Sequence, residues 1–163
     1  MSRSMRRARL ALDERECEEI LKRGKYGVLA VQGDEGYPYT VPLNYVFVDG
    51  AIYFHSAKEG HKIDAITREA KASFCVVDKS AVVPELFATA YKSVIAFGRV
   101  RIVEEQEERN RALIALVEAL SPHVAQESKH AEIDSCRLSD SVAVLAFDPE
   151  LITGKRGSCV PTD

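Results

Sequence analysis

The dipeptide Asp49-Gly50 constrains the fold most, because it separates two stretches that are rich in β-branched and aromatic residues. The first stretch runs from Tyr39 to Val48, and the second runs from Ala51 to Ala57. A two-residue hairpin turn of this kind needs positive φ at both central residues, which Asp and Gly tolerate. The pattern therefore predicts a β-hairpin within a fold built from antiparallel strands.

Polar residues follow the second predicted strand, just where a helical pattern begins at Ile63. They supply a hydroxyl, cationic groups, an imidazole and a flexible backbone position: Ser56, Lys58, Gly60, His61 and Lys62. The free N–H groups at a helix start, together with cations and hydroxyls, can hold a phosphate group. Lys62 is the strongest phosphate ligand of this set, whereas Lys58 is better explained as a solvated turn residue. The competing interpretation of Lys62 is an ordinary solvated lysine on a surface helix.

Outside the hairpin, strand patterns alternate with a few peripheral helices. Helices are predicted over residues 13–24, 59–69 and 104–120, and a weaker polar region at 123–140 is compatible with a short helix. Asp13 and Glu16, three residues apart, predict a capping box at the start of the first helix, and Gly24 can end it. Strands are predicted over residues 26–31, 71–77, 91–103 and 142–153, the last of them bent at Asp148-Pro149. Gly98 within the third of these strands indicates a bulge or a close backbone contact.

The order of these elements predicts the fold class. The strand at 26–31 and the two strands of the central hairpin, joined by tight turns, predict an antiparallel meander and not a βαβ unit. About six strands with flanking helices indicate a mainly β fold, a small barrel with peripheral α-helices.

Residues 78–88 are predicted to form a loop or a lid, because Pro84 interrupts them. The segment is nevertheless apolar in parts, at Val82, Val83, Leu86 and Phe87. A loop of this composition usually packs on something: a bound ring, a partner subunit or, by default, the protein's own core.

The 163 residues are enough for one domain with a real core, and we expect a single domain over residues 1–163 with a flexible basic arm at 1–12. The net charge of -3 argues against general nucleic-acid binding. The basic run at the start is followed at once by the acidic residues Asp13, Glu14 and Glu16, so it does not resemble a signal peptide. No stretch is apolar enough to cross a bilayer, and we expect a cytoplasmic protein without a membrane partner.

The four cysteines, Cys17, Cys75, Cys136 and Cys159, lie far apart and form no C-x-x-C pair. Free thiols are therefore expected, with Cys75 as a small buried hydrophobe. His123 and His130 could be combined with Cys136 as metal ligands, but their spacing is not that of a metal site. We expect no metal.

Six segments in a fixed order carry a family resemblance. They are Tyr26-Gly-Val-Leu-Ala, Pro38-Tyr-Thr-Val-Pro-Leu-Asn-Tyr, Ile52-Tyr-Phe-His-Ser-Ala, Gly60-His-Lys, Tyr91-Lys-Ser-Val-Ile and Phe97-Gly. Together they resemble the Nim-type proteins of 5-nitroimidazole antibiotic resistance, within the pyridoxamine 5′-phosphate oxidase-related FMN-binding split-barrel family. The resemblance covers nearly the whole chain. It implies a six-stranded antiparallel split β-barrel with flanking helices, acting as a homodimer with FMN at the subunit interface.

The resemblance also implies positions for the cofactor. Residues that line the flavin ring are Tyr39, Val41, Pro42, Leu43 and Asn44; those near the ribityl chain and phosphate are Phe54, His55, Ser56, His61 and Lys62; and Ser93 stands where the oxidases have a glutamine near the cofactor. Tyr39 and His61 replace two arginines of the oxidase branch, and this chain lacks that branch's C-terminal substrate-phosphate motif. These departures favour the Nim-type branch.

The implied activity is that of an FMN-dependent oxidoreductase, a flavoprotein that takes electrons from NAD(P)H and passes them to a small-molecule acceptor such as a nitro group or a quinone. His55 is the candidate catalytic residue, since histidine can exchange a proton near pH 7. A purely structural histidine is the competing interpretation. Two further hypotheses concern the whole protein: a non-enzymatic flavin- or haem-binding module for storage or sensing, and a structural dimer with an empty cleft.

Overall fold

A computed structural model describes residues 4–139 and 141–159, in which eight strands and four α-helices form. The strands are β1 (Ala11–Leu12), β2 (Tyr26–Gln32), β3 (Pro38–Asn44), β4 (Val46–Val48), β5 (Ala51–Ala57), β6 (Lys71–Val83), β7 (Ala88–Ile102) and β8 (Val142–Arg156). The helices are α1 (Glu14–Arg23), α2 (His61–Arg68), α3 (Gln106–Leu120) and α4 (Gln126–Leu138). Short 3-10 helices lie at Ala8–Leu10, Asp34–Gly36 and Pro84–Leu86.

All eight strands belong to one antiparallel sheet with the order β3-β2-β6-β7-β8-β5-β4, and β1 pairs with β8. Six strands have seven or more residues, while β1 and β4 are short. The sheet curls until β3 and β5 approach within 8 Å, yet no strand pairing joins them in the described part of the chain. The predicted mainly β split barrel with flanking helices is therefore confirmed.

Aromatic and aliphatic side chains fill the inside of the curled sheet. Phe54, Phe74 and Phe147 are almost fully buried there, and the ring centroid of Phe74 lies 5.2 Å from that of Phe54. Helix α1 adds Ile20 and Leu21 to this core. Burying side chains of this size stabilises the fold by about 1.5–3 kcal/mol each, which makes this interior the main source of stability.

Local signals in the sequence place α1 correctly. Asp13 accepts a hydrogen bond from the N–H of Glu16 at 2.8 Å, and the Glu16 carboxylate accepts one from the N–H of Asp13 at 3.1 Å. This reciprocal pair is the predicted capping box, and the helix ends at Gly24 as predicted. Helices α3 and α4 pack together, and α3 covers the opposite face of the sheet near Tyr53 and Val144.

The predicted strand Tyr39–Val48 is wrong in one respect, since it breaks at Tyr45 into β3 and β4. The Tyr45 side chain is completely buried, and its hydroxyl donates to the Leu21 carbonyl at 2.9 Å. This anchor turns the chain, so that β3 pairs with β2 while β4 pairs with β5. The predicted three-strand meander is therefore also wrong, because β3 and β4 lie at opposite ends of the strand order. The Asp49-Gly50 turn is confirmed, with φ of 52° and 80°.

The predicted loop or lid at 78–88 is wrong as well. Strand β6 continues to Val83 and β7 begins at Ala88, so the two strands form one long hairpin. The sequence suggested a loop because Pro84 interrupts the segment, but Pro84 begins the short 3-10 helix that joins the two strands at the tip of the hairpin. In the structure Asp78 sits at a bulge in β6 and accepts two hydrogen bonds from Arg23 of α1, at 2.6 and 2.7 Å. This ion pair lets a carboxylate occupy the middle of a strand.

Two other predictions need adjustment near the end of the chain. Strand β8 runs unbroken through Pro149, although its pairing with β7 shifts where Gly98 meets it. A Cβ atom at Gly98 would clash with the Asp148 carbonyl oxygen, which confirms the predicted close backbone contact. The polar region 123–140 contains the 13-residue helix α4 instead of a short one, and the predicted end at Asp140 lies outside the described residues.

The four cysteines carry free thiols, as predicted. Cys75 is only half-buried, so it is less enclosed than predicted. None of the helices described in the structure is long and apolar enough to span a membrane. The basic residue Arg3 of the predicted N-terminal arm lies outside the described part of the chain, and Ala11–Leu12 at the arm's end pair with β8.

Candidate cofactor site

A gap in the strand pairing forms the candidate site, and we call it the seam. One edge of β3 pairs with β2, and its other edge has no strand partner among the described residues. Strand β5 pairs with β8 along Ile52–Ala57, but with β4 only along Ala51–Tyr53. The second half of β5 therefore also has an edge without a strand partner in the described part. Backbone N–H and C=O groups along such edges are available to a ligand.

Strand β3 presents its predicted ring-lining residues on two faces. Tyr39, Val41 and Leu43 are half-buried and pack against the core, whereas Pro42 and Asn44 face outwards. Successive side chains of a strand alternate in this way, so a flat ligand that contacts both groups has to lie along the backbone edge. The edge of β3 that borders the seam meets this requirement.

Strand β5 separates its three predicted residues in the same manner. Phe54 is completely buried in the core, so only its backbone can meet a ligand. Ser56 lies on the same face, 8% exposed, and its hydroxyl donates to the Ala57 carbonyl at 2.9 Å. His55 is exposed on the opposite face, the side that α3 covers further along the strand. The imidazole is therefore not beside the Ser56 hydroxyl within one chain.

The start of α2 brings β3 and the polar cluster together. Gly60 adopts a φ of 111°, which favours glycine, and its carbonyl accepts the first two hydrogen bonds of the helix. The His61 ring stacks on the Tyr39 ring with centroids 4.1 Å apart. Its Nε2 atom lies 3.6 Å from the Asp34 carboxylate, which also pairs with Arg68 at 3.1 Å. Sequence reasoning missed Asp34, because nothing local shows that the turn after β2 returns to α2.

Lys62 has the most unusual environment of the predicted residues. It is half-buried at the start of α2, and burial lowers the pKa of its ammonium group below 10.5. The described part of the chain provides no carboxylate or carbonyl within hydrogen-bond distance of the Lys62 ammonium. A desolvated cation without a partner is unfavourable, and a bound anion would relieve that cost.

Ser93 lies apart from the seam. It is half-buried on β7, opposite Val77 of β6 and Lys155 of β8, and β7 stands three places from β3 in the sheet. Within a single chain the structure therefore brings together β3, the second half of β5 and the start of α2, but not Ser93.

The convex side of the sheet is unexpectedly apolar, and we call it the outer face. Its exposed apolar side chains are Tyr26, Val28, Val77, Ile95 and Phe97, with exposed fractions between 38% and 68%. Register places Val28, Cys75 and Ile95 side by side on three adjacent strands. Ser93 belongs to this face as well, because residues 93, 95 and 97 alternate along β7. Strands that are apolar on both sides are typical of sheets covered on both sides, a signal already visible in β2.

A cavity of about 560 Å³ lies elsewhere, between the start of α1, β4 and the irregular part of β8. Leu12, Cys17, Phe47 and Ile152 line it, and none of the predicted cofactor residues does. Among the residues that the structure describes, no group of three or more His, Cys, Asp or Glu side chains is placed to hold a metal ion.

The fold has known counterparts of low sequence identity. A candidate 5-nitroimidazole antibiotic resistance protein of Bacteroides thetaiotaomicron superimposes with a TM-score of 0.73 at 22% identity, covering 91% of this chain and 87% of that one. An FAD-binding protein of Mesorhizobium loti superimposes with a TM-score of 0.65 at 24% identity, covering 91% of this chain and 96% of that one. An FAD- and haem-binding protein of Mycobacterium smegmatis superimposes with a TM-score of 0.69 at 16% identity, covering 93% of this chain and 74% of that one. At these identities the likeness shows the fold alone.

None of the curated proteins matches this sequence. A family model does match it, over residues 13–156, which include every strand of the seam and of the outer face, and that model is described as pyridoxamine 5′-phosphate oxidase. The match and the split barrel agree, and the chain belongs to the pyridoxamine 5′-phosphate oxidase family.

Proposed function

We propose that this protein is an FMN-dependent oxidoreductase that works as a homodimer in the cytoplasm and transfers electrons from a reduced nicotinamide to a small acceptor, such as a nitro compound. The observation that carries this proposal is the partly desolvated Lys62 ammonium, which lacks an anionic partner in the described chain, at the start of α2. A helix N-terminus and a cation favour the same ligand, a phosphate group.

The residues present fit a flavin phosphate. Lys62 and the free N–H groups at the start of α2 would hold the phosphate, while the open edge of β3 would hold the ring through its backbone groups. His61 would border the phosphate from its position against Tyr39. Bound FMN would supply the hydride and electron chemistry, and the chain would orient the cofactor and exclude water from it.

The outer face supports the homodimer. Five exposed apolar side chains on adjacent strands form a patch of the kind that marks protein interfaces. A two-fold symmetric pair would bury two copies of this patch against each other. Ser93 lies on this patch, so in such a pair it would stand near the partner's site, where the family resemblance expects a residue close to the cofactor.

His55 remains our candidate for proton transfer to the acceptor. Its exposed imidazole can reach an acceptor that approaches from solvent, but it lies across β5 from Ser56. His55→Asn should slow the reduction of the acceptor while the bound flavin content stays unchanged. Equal rates for both proteins would assign His55 a structural role.

The proposed function is tested by the absorbance spectrum of the purified protein and by titration with FMN. We expect a yellow protein, or an apoprotein that binds one FMN per chain, and loss of the flavin absorbance when NADH or NADPH is added without oxygen. A colourless protein that cannot be reconstituted with FMN would refute the proposal.

A second candidate is a non-enzymatic module that binds haem or flavin. The exposed His55 imidazole favours it, since histidine is a common axial ligand of haem iron, and a relative with this fold is named for binding FAD and haem. A Soret band that appears on addition of haemin, together with its loss in His55→Ala, would identify this function. A flavin spectrum without such a band identifies the first.

A further inference from the structure

The end of the β6–β7 hairpin projects beyond the rest of the sheet, and we call residues 80–91 the arm. Strand β2 pairs with β6 only as far as Cys75, and β8 pairs with β7 only from Lys92 onwards. The Tyr91 carbonyl still accepts a hydrogen bond from the N–H of Gly157 at 2.8 Å, just beyond the end of β8. The three residue pairs from Ala81–Ala90 to Val83–Ala88 have backbone partners only in each other among the described residues. At about 3.4 Å per residue, these three pairs extend roughly 10 Å past the neighbouring backbone.

The arm is apolar and exposed. Phe87 at its tip is 99% exposed, Val82 is 75% exposed and Leu86 is 63% exposed. Glu85 is the only charged residue among the twelve from Ser80 to Tyr91, in a chain of which 29% is charged. Large apolar side chains gathered at one exposed tip mark a contact site.

An arm of this kind is not expected to be stable on its own. A two-stranded ribbon is marginal in water unless a third strand or another packed layer supports it. An exposed apolar ribbon also invites uncontrolled pairing with other chains. Both arguments indicate that another surface covers the arm when the protein functions.

The strand register shows how the arm is related to the outer face. Side chains alternate without interruption along β7, so Thr89 and Tyr91 lie on the same side as Ile95 and Phe97 of the outer face. Val82, which is paired with Thr89, lies on this side too. The arm therefore continues the outer face, and a molecule that covers one is positioned to cover the other.

We propose that the arm packs on a second copy of this chain, as part of the homodimer proposed above, on which the inference rests. Two copies that face each other across a two-fold axis would each extend one arm over the partner. An anionic lipid surface is the alternative, and Lys79 and Lys92 at the base of the arm would suit it. However, Glu85 places a negative charge at the tip, and Lys92 is already ion-paired with Glu16 at 3.4 Å.

A single tryptophan can report on the tip, because the chain contains none. Phe87→Trp places one in the arm, and Leu138→Trp provides a matched control at the end of α4, where Leu138 is 86% exposed. In the FMN-loaded dimer we expect blue-shifted emission and weak acrylamide quenching for the first variant only. Dilution to monomers should make both variants equally red-shifted and equally quenched.

The outcomes separate this inference from the proposed function. A dimer that binds FMN but leaves the tryptophan of Phe87→Trp as exposed as that of Leu138→Trp would overturn the inference alone. A wild-type chain that stays monomeric and binds no FMN would refute both. A blue shift that requires phosphatidylserine vesicles and does not depend on protein concentration would overturn the inference in favour of a lipid surface.

A second variant measures the strength of the contact. Phe87→Ser should raise the dimer dissociation constant about a hundredfold, because both tips of the symmetric pair lose a buried ring. Leu138→Ser should leave it unchanged, and circular dichroism should show that both variants fold, since neither side chain is buried in the single chain. A dissociation constant for Phe87→Ser within twofold of the wild type would contradict the inference.

Discussion

Two lysines in different parts of the molecule are withdrawn from water in different ways. Lys129 of α4 is 3% exposed, and its Nζ atom lies 2.6 Å from the Glu118 carboxylate of α3. Lys62 of α2 is half-buried and has no such partner in the described chain. The first pair joins two helices and holds the pKa of Glu118 below its usual value. Lys62, by contrast, is a cation for which the described residues supply no anion.

The contrast suggests how structural and ligand-binding charges can be distinguished. A buried charge that serves the fold brings its counter-ion from a neighbouring element, since an unpaired one is costly. A charge that binds a ligand destabilises the free protein, because it is desolvated without a counter-ion. The bound ligand supplies the counter-ion and relieves that destabilisation. Substitutions at the two lysine sites should therefore have opposite effects on thermal stability and unequal effects on cofactor binding.

The largest expected effect is on FMN affinity. Lys62→Met should raise the dissociation constant of FMN roughly fiftyfold, because a hydrogen bond between a charged donor and phosphate contributes about 1.5–3 kcal/mol. Lys71→Met, on an exposed part of β6, is the matched control and should leave the affinity unchanged. Isothermal titration calorimetry measures both. Equal affinities for the two variants would remove Lys62 from the site.

Breaking the α3–α4 pair should lower thermal stability without affecting the cofactor. Glu118→Gln leaves the buried Lys129 without its counter-ion, and we expect the Tm to fall by roughly 5 °C. Adding Lys129→Met should recover most of this loss, since an apolar side chain of similar length needs no partner. Calorimetry of the wild type, the two single variants and the double variant tests this, and additive effects of the two single substitutions in the double variant would contradict it.

Removing Lys62, which has no ion-pair partner among residues 4–139 and 141–159, should raise the thermal stability instead of lowering it. In the absence of FMN, Lys62→Met should raise the Tm by about 2 °C, because it removes a desolvated charge and keeps the apolar stem. The gain should vanish when FMN is present, since only the wild type then forms the additional ionic bond. A lower Tm of the flavin-free variant would show that Lys62 already has a stabilising role.

The smallest expected effect is a change with pH in the Tm difference between Lys62→Met and the wild type. The folded state lowers the pKa of Lys62, so the stability cost is fully present below the folded pKa. The cost is relieved as pH rises through the folded pKa towards the unfolded value of 10.5. The Tm advantage of Lys62→Met should therefore shrink between pH 7 and pH 10 in flavin-free protein. An advantage that grows over this range would assign the opposite sign to the shift.

Local signals were sufficient for much of the fold. The capping box of Asp13 and Glu16 and the positive φ values at Asp49-Gly50 depend on residues a few positions apart, and both were predicted correctly. The family resemblance supplied the split barrel itself. The break at Tyr45 and the bulge at Asp78 were missed, because each depends on a contact with α1, from Leu21 and Arg23 respectively.

The candidate site shows the same division. The polar residues between Ser56 and Lys62 could be selected as a phosphate site from their chemistry and their place before a helix. The stacking of His61 on Tyr39 and the approach of Asp34 could not, because residues 22 or more positions apart meet only when the sheet curls. The apolar outer face was also missed. Its side chains come from several neighbouring strands, and the sequence does not reveal the register in which those strands pair.

By itself, the sequence determined the approximate positions of the four helices and of most long strands, which turn joins β4 to β5 and which residues have the chemistry to hold a phosphate. These properties follow from backbone preferences and side-chain groups that act over a few residues. Only the tertiary structure decided that β3 and β5 leave a seam between them, that Lys62 has no counter-ion among the described residues and that the arm extends an apolar face. Each of these depends on which distant strands and helices come together, and that is decided by the packing of the whole core.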